Sequence, residues 1–333
     1  MSTLRLLNFS THPGDLRIFA DDWEQARRFL DHWEFDGFEL YPVGKYPWGK
    51  IPSGLVKSLH LRFFVILRQG WKGEAAELER VFGDTTTAAA FYGDHDTRRA
   101  ISETYRQQLD LARELGCETV VFHPAHCELE YVRDWNFPWH WRKTFDLCAE
   151  VLNEALSRSA WNGCLLLENL WWPGSFRLKE PAAEYDYLRS RIEHTDCGIV
   201  LDTGHLLNRD GGFDDEKEAI AWLLGEVAGW PADLRQAIRA LHLTCSLSGA
   251  YIRTSRTRPA DPLPDQSFGS RLSKARGHVS QIDRHNPFTD PDIGKLFRLL
   301  EPRQTVFEFS FADRPSWEKK IMSQKEALRT YLW

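Results

Sequence analysis

Eight short apolar runs rich in Val, Leu, Ile and Phe recur along the chain, and longer segments of helical periodicity separate most of them. The runs lie at residues 4–10, 37–43, 56–63, 119–123, 164–169, 198–202, 240–244 and 305–311. Their length and composition suit strands of a parallel sheet buried on both faces. Amphipathic helices are expected at 22–33, 97–115, 141–157, 181–193 and 231–240. Asp21 or Asp22 is placed to cap the first. Ile101, Tyr105, Leu109 and Ala112 share one face of the second, which Gly116 ends. Alternating strands and helices imply a parallel sheet with right-handed crossovers. Eight such units fit a closed α/β barrel, a (β/α)8 fold in a single domain over residues 1–333. The thinnest unit is the second, with little chain between its strand and the next.

Three stretches are longer than plain connections: 68–96, the aromatic 127–141, and the polar, arginine-rich 246–292. Each follows a strand. In a barrel all three rise from the C-terminal face as long βα loops, the last as an extended insertion.

The formal net charge is −6, which gives no general attraction to nucleic acid or anionic lipid. Six cysteines stand singly with no C-x-x-C pair, as expected of buried reduced thiols rather than a disulfide framework. The opening MSTLRLLNFSTHPG has no long apolar stretch, and no run reaches the ~18 apolar residues of a membrane span. The expected location is the cytoplasm, with no membrane partner.

Polar residues interrupt the apolar runs at one end. His60 stands in KSLHLRF, His123 in VVFHPAH, Glu168 in LLLENL, Asp202 and His205 in IVLDTGH, His242 in ALHLT and Glu308 in VFEFSF. Asp283 and His285 follow in IDRH, near the end of the 246–292 stretch. A single histidine at a strand end is more often hydrogen-bonded structure than a ligand, and a single glutamate could pair with an arginine. In a barrel, however, the strand ends converge on one cavity. Carboxylates and imidazoles crowded there would repel and desolvate one another without a cation. Their oxygen and nitrogen donors suit Zn, Mn, Fe or Co, one to three ions per chain. Trp135, Trp139, Trp141, Trp171 and Trp172 lie in the loops after the fourth and fifth runs. They either pack the rim or wall an apolar pocket, with Trp139 and Trp172 as candidate substrate contacts.

This series of motifs resembles the xylose isomerase-like TIM barrels, a group that also contains endonuclease IV. ENL at Glu168, DTGH at Asp202–His205, HL at His242 and FEF at Glu308 are similar to the metal-carrying strand ends of its sugar isomerases and epimerases. The resemblance implies Glu168, Asp202, His242 and Glu308 as metal ligands, with His205 at substrate or a second ion. Endonuclease IV holds three zinc ions with nine residues. The matching positions here are His60, His123, Glu168, Asp202, His205, His242, Asp283, His285 and Glu308. The chain departs from that pattern after His285, where NPFTDPDIG replaces a glycine-rich turn, and after His123, where PAHCELE lacks a small phosphate-approaching turn.

Two chemistries are therefore expected. In the first, a metal-dependent isomerase or epimerase acts on a polyol or sugar-like molecule. Glu168 and Glu308 exchange a proton across an enediolate while His205 and Arg284 steady the oxyanion. In the second, clustered metals hydrolyse a phosphoester, abasic DNA included, and Arg253, Arg256, Arg258, Arg271, Lys274 and Arg276 supply positive charge. The sequence favours the first by a small margin. A purely structural metal site is a third reading, but such sites usually close with thiolates, and no cysteine is among the candidate ligands.

Overall fold

The computed structural model describes residues 3–133, 137–257 and 267–333. Trp135 and Arg258 lie outside the described residues. Eight strands form a closed barrel in sequence order: β1 Leu4–Ser10, β2 Gly37–Tyr41, β3 Val56–His60, β4 Thr119–Phe122, β5 Cys164–Glu168, β6 Cys197–Asp202, β7 Ile238–Leu243 and β8 Gln304–Phe307. Every neighbouring pair is parallel, and β1 closes the ring against β8 through Leu4↔Gln304 to Leu7↔Phe307. Every residue of β5 and β6 is buried, as a strand with helices outside and a filled barrel inside requires.

Two layers of apolar packing hold the frame. The larger joins the outer faces of the strands to the surrounding helices, with Trp317, Phe29 and Phe19 among its large members. The smaller is a plug inside the barrel made by Val121, Cys164, Leu166, Val200 and Ala240. Helix Trp23–Trp33 begins where expected, with the Asp22 carboxylate accepting the Glu24 N–H at 2.9 Å. Helix Thr97–Leu115 runs to Gly116, whose φ of +73° closes the turn in the left-handed region. All six cysteines are free and buried.

Several expectations need correction. Six runs overshoot: β2 ends at Tyr41, β3 at His60, β4 at Phe122, β5 at Glu168, β7 at Leu243 and β8 at Phe307. Pairing stops at the barrel rim while the apolar sequence continues into the loops. The helix expected at 231–240 covers only Ala232–Ala237, because β7 starts at Ile238. Residues 68–96 are largely helical, with Leu67–Lys72, Ala75–Phe82 and Thr85–Tyr92 in succession. The insertion 246–292 carries helices Gly249–Thr257 and Phe268–Ile282. Between β2 and β3 the chain makes a 3₁₀ turn, Trp48–Lys50, in place of an α-helix. Among the described residues no helix is long and apolar enough to cross a membrane.

Candidate metal centre

The nine residues singled out in the sequence converge on the C-terminal mouth of the barrel. They fall into three groups whose ligand atoms lie within 4.8 Å of one another: His60, His123 and Glu168; Glu168, Asp202, His242 and Glu308; and His205, Asp283 and His285. Glu168 belongs to two of them. Its Oε2 lies 3.0 Å from His60 Nε2 and 2.9 Å from His123 Nε2. Its Oε1 lies 3.3 Å from His205 Nδ1 and 3.4 Å from His242 Nδ1. Glu308 Oε2 faces His242 Nδ1 at 3.1 Å. Asp283 Oδ2 faces His285 Nε2 at 2.6 Å and His205 Nε2 at 3.3 Å.

The local sequence builds these positions. Asp202 ends β6 and caps the short helix Thr203–Asn208, its Oδ1 accepting the His205 N–H at 2.6 Å. The DTGH turn therefore brings an acid and an imidazole to the same place. His205 Nδ1 also lies 2.7 Å from the Asn169 carbonyl, His60 Nδ1 3.0 Å from Leu61 O, and His285 Nδ1 3.2 Å from Glu308 O. A carbonyl only accepts, so each Nδ1 carries a proton and each Nε2 is the nitrogen turned to the centre.

The electrostatics fit a bound cation. Burial pushes the Asp202 carboxyl up to about 8, and the neighbouring Glu308 and Glu168 charges add to it against the pull of His205. Burial alone would lower His205 and His242, yet the surrounding carboxylates hold both well above the usual imidazole range. Several buried atoms have no hydrogen-bond partner: both nitrogens of His123 and of His242, Asp202 Oδ2 and Glu308 Oε2. Unpaired polar atoms gathered in one place are costly unless something satisfies them. A divalent cation in each of the first two groups would do so; in the third, His205 and His285 both face Asp283, and the nitrogen and oxygen donors of all three suit Zn, Mn, Fe or Co.

Above the centre lies a cavity of about 350 Å³, lined by Tyr41, His60, Phe63, His123, Glu168, Trp171, Trp172, His205, Val279, Asp283, His285 and Glu308 among others. Its roof is an apolar cluster assembled from three loops, Ala125, Cys127, Leu170, Trp171, Trp172, Ile252 and Ile282, with Val279 and, from a fourth loop, Phe63 against it. Phe63 stacks on Trp172 at 5.8 Å, and Trp171 lies 5.0 Å from His205. Trp172 thus reaches the cavity. Trp139 does not; it lines a separate cleft with Arg68 over its ring at 4.4 Å. Arg284 is exposed, and its Nε donates to the Gln281 carbonyl at 3.2 Å, so it does not line the cavity.

Two residues on β2 escaped the sequence reading. Glu39 is fully buried, with Oε1 2.9 Å from His242 Nε2 and Oε2 accepting the Ser58 hydroxyl at 2.7 Å. Tyr41 donates to Glu308 Oε1 at 2.5 Å and stacks on His60 with ring centroids 4.1 Å apart. An acid inside a run that must be buried on both faces was the available signal.

A family model described as a xylose isomerase-like TIM barrel matches residues 27–305. The chain belongs to that family. Within the xylose isomerase-like fold, two solved structures are similar over nearly their whole length. Endonuclease IV from Thermus thermophilus shares 16% identity, covering 98% of this chain and 99% of that one, with a TM-score of 0.51. A D-tagatose 3-epimerase-like protein shares 13% identity, covering 99% and 97%, with a TM-score of 0.50. At these identities the likeness is one of fold. No curated protein sequence matches the chain.

Proposed function

We propose that this xylose isomerase-like barrel hydrolyses a phosphoester on a small, partly apolar molecule, using divalent cations held by the three side-chain groups. The observation that carries the reading is the division of Glu168. One carboxylate oxygen faces His60 and His123 while the other faces His242, as a carboxylate shared between neighbouring cations would. Proton transfer on a sugar needs only Glu168, Asp202, His242 and Glu308. That would leave His60, His123, Asp283 and His285 buried or half-buried without a task.

In the reaction, a water oxygen bonds to phosphorus, the ester P–O bond breaks, and the departing alkoxide takes up a proton. The cations, when bound, supply Lewis acidity that lowers the pKa of water and neutralises charge on phosphoryl oxygens. The protein's own groups do the rest. His60, His123, Asp202, His205, His242, Asp283, His285 and Glu308 hold the ions around Glu168. Phe63, Trp171 and Trp172 exclude water and receive the apolar part of the substrate.

Size and charge favour a small substrate over duplex DNA. The cavity lies at the small end of ligand pockets, and four loops roof it. Two arginines of the insertion are committed within the chain, Arg253 to Asp214 and Arg271 to the Val81 carbonyl. The net charge is negative. Isomerisation or epimerisation of a sugar-like molecule is the second reading, favoured by the completeness of the four-residue group on its own.

The test is turnover of bis(p-nitrophenyl) phosphate by zinc- or manganese-loaded protein, alongside deuterium exchange from D2O into a ketose. Phosphoester cleavage that EDTA abolishes is the expected result. Deuterium entering the ketose with no phosphoester cleavage would transfer the protein to the second reading. Salt-dependent binding of abasic duplex DNA would overturn the small-substrate assignment.

A further inference from the structure

We propose that β2, which supplies no cation ligand, is the strand that orients the ligands: Glu39 fixes His242, and Tyr41 fixes Glu308. The inference rests on the three groups being cation sites. Glu39 and Tyr41 are two residues apart on one strand, so both side chains point into the barrel.

A neutral imidazole has one lone pair and one N–H. Where the lone pair goes to a cation, the N–H still needs an acceptor, and that acceptor sets the ring orientation. His60, His205 and His285 find theirs in the backbone carbonyls of Leu61, Asn169 and Glu308. His242 is turned the other way. Its Nδ1 faces Glu168 and Glu308, and its Nε2 points across the barrel interior. There the strand ladder consumes the backbone carbonyls, so a side chain must supply the acceptor. Glu39 Oε1 is in place at 2.9 Å, and both residues are fully buried. The pair is in contact without being aligned as a hydrogen bond, and neither atom has another hydrogen-bond partner. The Ser58 hydroxyl holds the other oxygen of Glu39 from β3 at 2.7 Å.

Glu39, His60 and His242 also lie close enough to hold an ion themselves. That arrangement would require His242 to bind cations through both nitrogens. It would also take His60 away from Leu61 O or Glu168, which already face its two nitrogens. An orienting role needs neither. Tyr41 acts in parallel: its hydroxyl holds Glu308 Oε1 and leaves Oε2 facing His242.

The experiment is Co²⁺ titration of the chelator-stripped protein, read by visible absorbance and by ions bound per chain. Wild type is compared with Glu39→Gln, Tyr41→Phe and Ser58→Ala. Wild type is expected to bind three ions. Glu39→Gln should weaken one site by about 10–100-fold and alter its absorbance band, leaving the other two unchanged. Tyr41→Phe and Ser58→Ala should shift the same site by less, and they keep the test open if Glu39→Gln does not fold. Wild-type affinity and spectrum in the folded variants would overturn the proposal. Four ions in wild type, one of them lost in Glu39→Gln, would make Glu39 a ligand and equally overturn it. A wild-type protein that binds no cobalt would remove the cation sites themselves, an outcome distinct from either.

Discussion

Inside the barrel two layers lie one step apart and differ in every chemical respect. Val121, Leu166, Val200 and Ala240 form part of the apolar plug. Two residues further on come His123, just past β4, and Glu168, Asp202 and His242 on β5, β6 and β7. The strand period of two points each pair the same way, so one pleat separates a dry core from a cluster of acids and imidazoles. Both layers are buried except for His123, which is half-buried. The plug is stable by itself, because burying apolar surface is favourable. The charged layer is not, because burying carboxylates requires compensation. The lower layer therefore maintains the fold, and the upper layer spends stability on a site.

Substitutions on either side of that pleat should separate the two roles. The largest effect is expected from Glu168→Gln, which removes the carboxylate shared by two groups. Phosphoester turnover should fall by at least about 10³-fold, roughly 4 kcal/mol of transition-state stabilisation, while the circular dichroism spectrum is retained. Turnover near wild type in that variant would break the division. Leu166→Ala, one pleat below, should show the reverse. Thermal unfolding should report a loss of about 2–5 kcal/mol, with kcat changed only a few-fold in the folded enzyme. Removing cations with EDTA should lower the thermal midpoint of wild type, since one ion at 100 times its Kd contributes about 2.7 kcal/mol. The same treatment should move Glu168→Gln less, and an equal shift would show that the ions sit elsewhere.

The smallest effect concerns a buried histidine outside the charged layer. Carboxylates hold His205 and His242 up, but burial, with the neighbouring Arg68 charge, pushes His126 down to about 3. In the unfolded chain it would titrate near about 6.5. Below that pH the unfolded state binds a proton that the folded state refuses. His126 therefore costs stability progressively as pH falls from about 6.5 towards 3. Thermal midpoints measured across this range should fall less steeply in His126→Leu than in wild type. Identical slopes would remove His126 as the cause.

Much of this layering was legible in the sequence. LLLENL, IVLDTGH and ALHLT each show apolar residues giving way to a polar one, and that polar residue marks the strand end. The apolar runs outlast the strands because Phe63, half-buried, and Phe309, buried, are covered by loops and helices rather than by pairing. Residues 68–96 fold as helices of six to eight residues, too short for a periodic pattern to stand out. In helix Phe268–Ile282 arginines and a lysine interrupt the apolar side, where Phe268 and Ala275 join the main core and Val279 and Ile282 meet the roof. Arg284 next to Asp283 and His285 in IDRH looked like a site residue, but its side chain turns outward to Gln281. Glu39 stayed hidden because GFELY reads as a half-polar strand; only closure of the barrel places that acid beside His242.

Anomalous scattering from crystals of the zinc-loaded protein tests the central claim most directly. Three peaks are expected, one at each side-chain group, with the two oxygens of Glu168 bound to different ions. A single peak confined to Glu168, Asp202, His242 and Glu308, with His60, His123, Asp283 and His285 left unbound, would contradict the account.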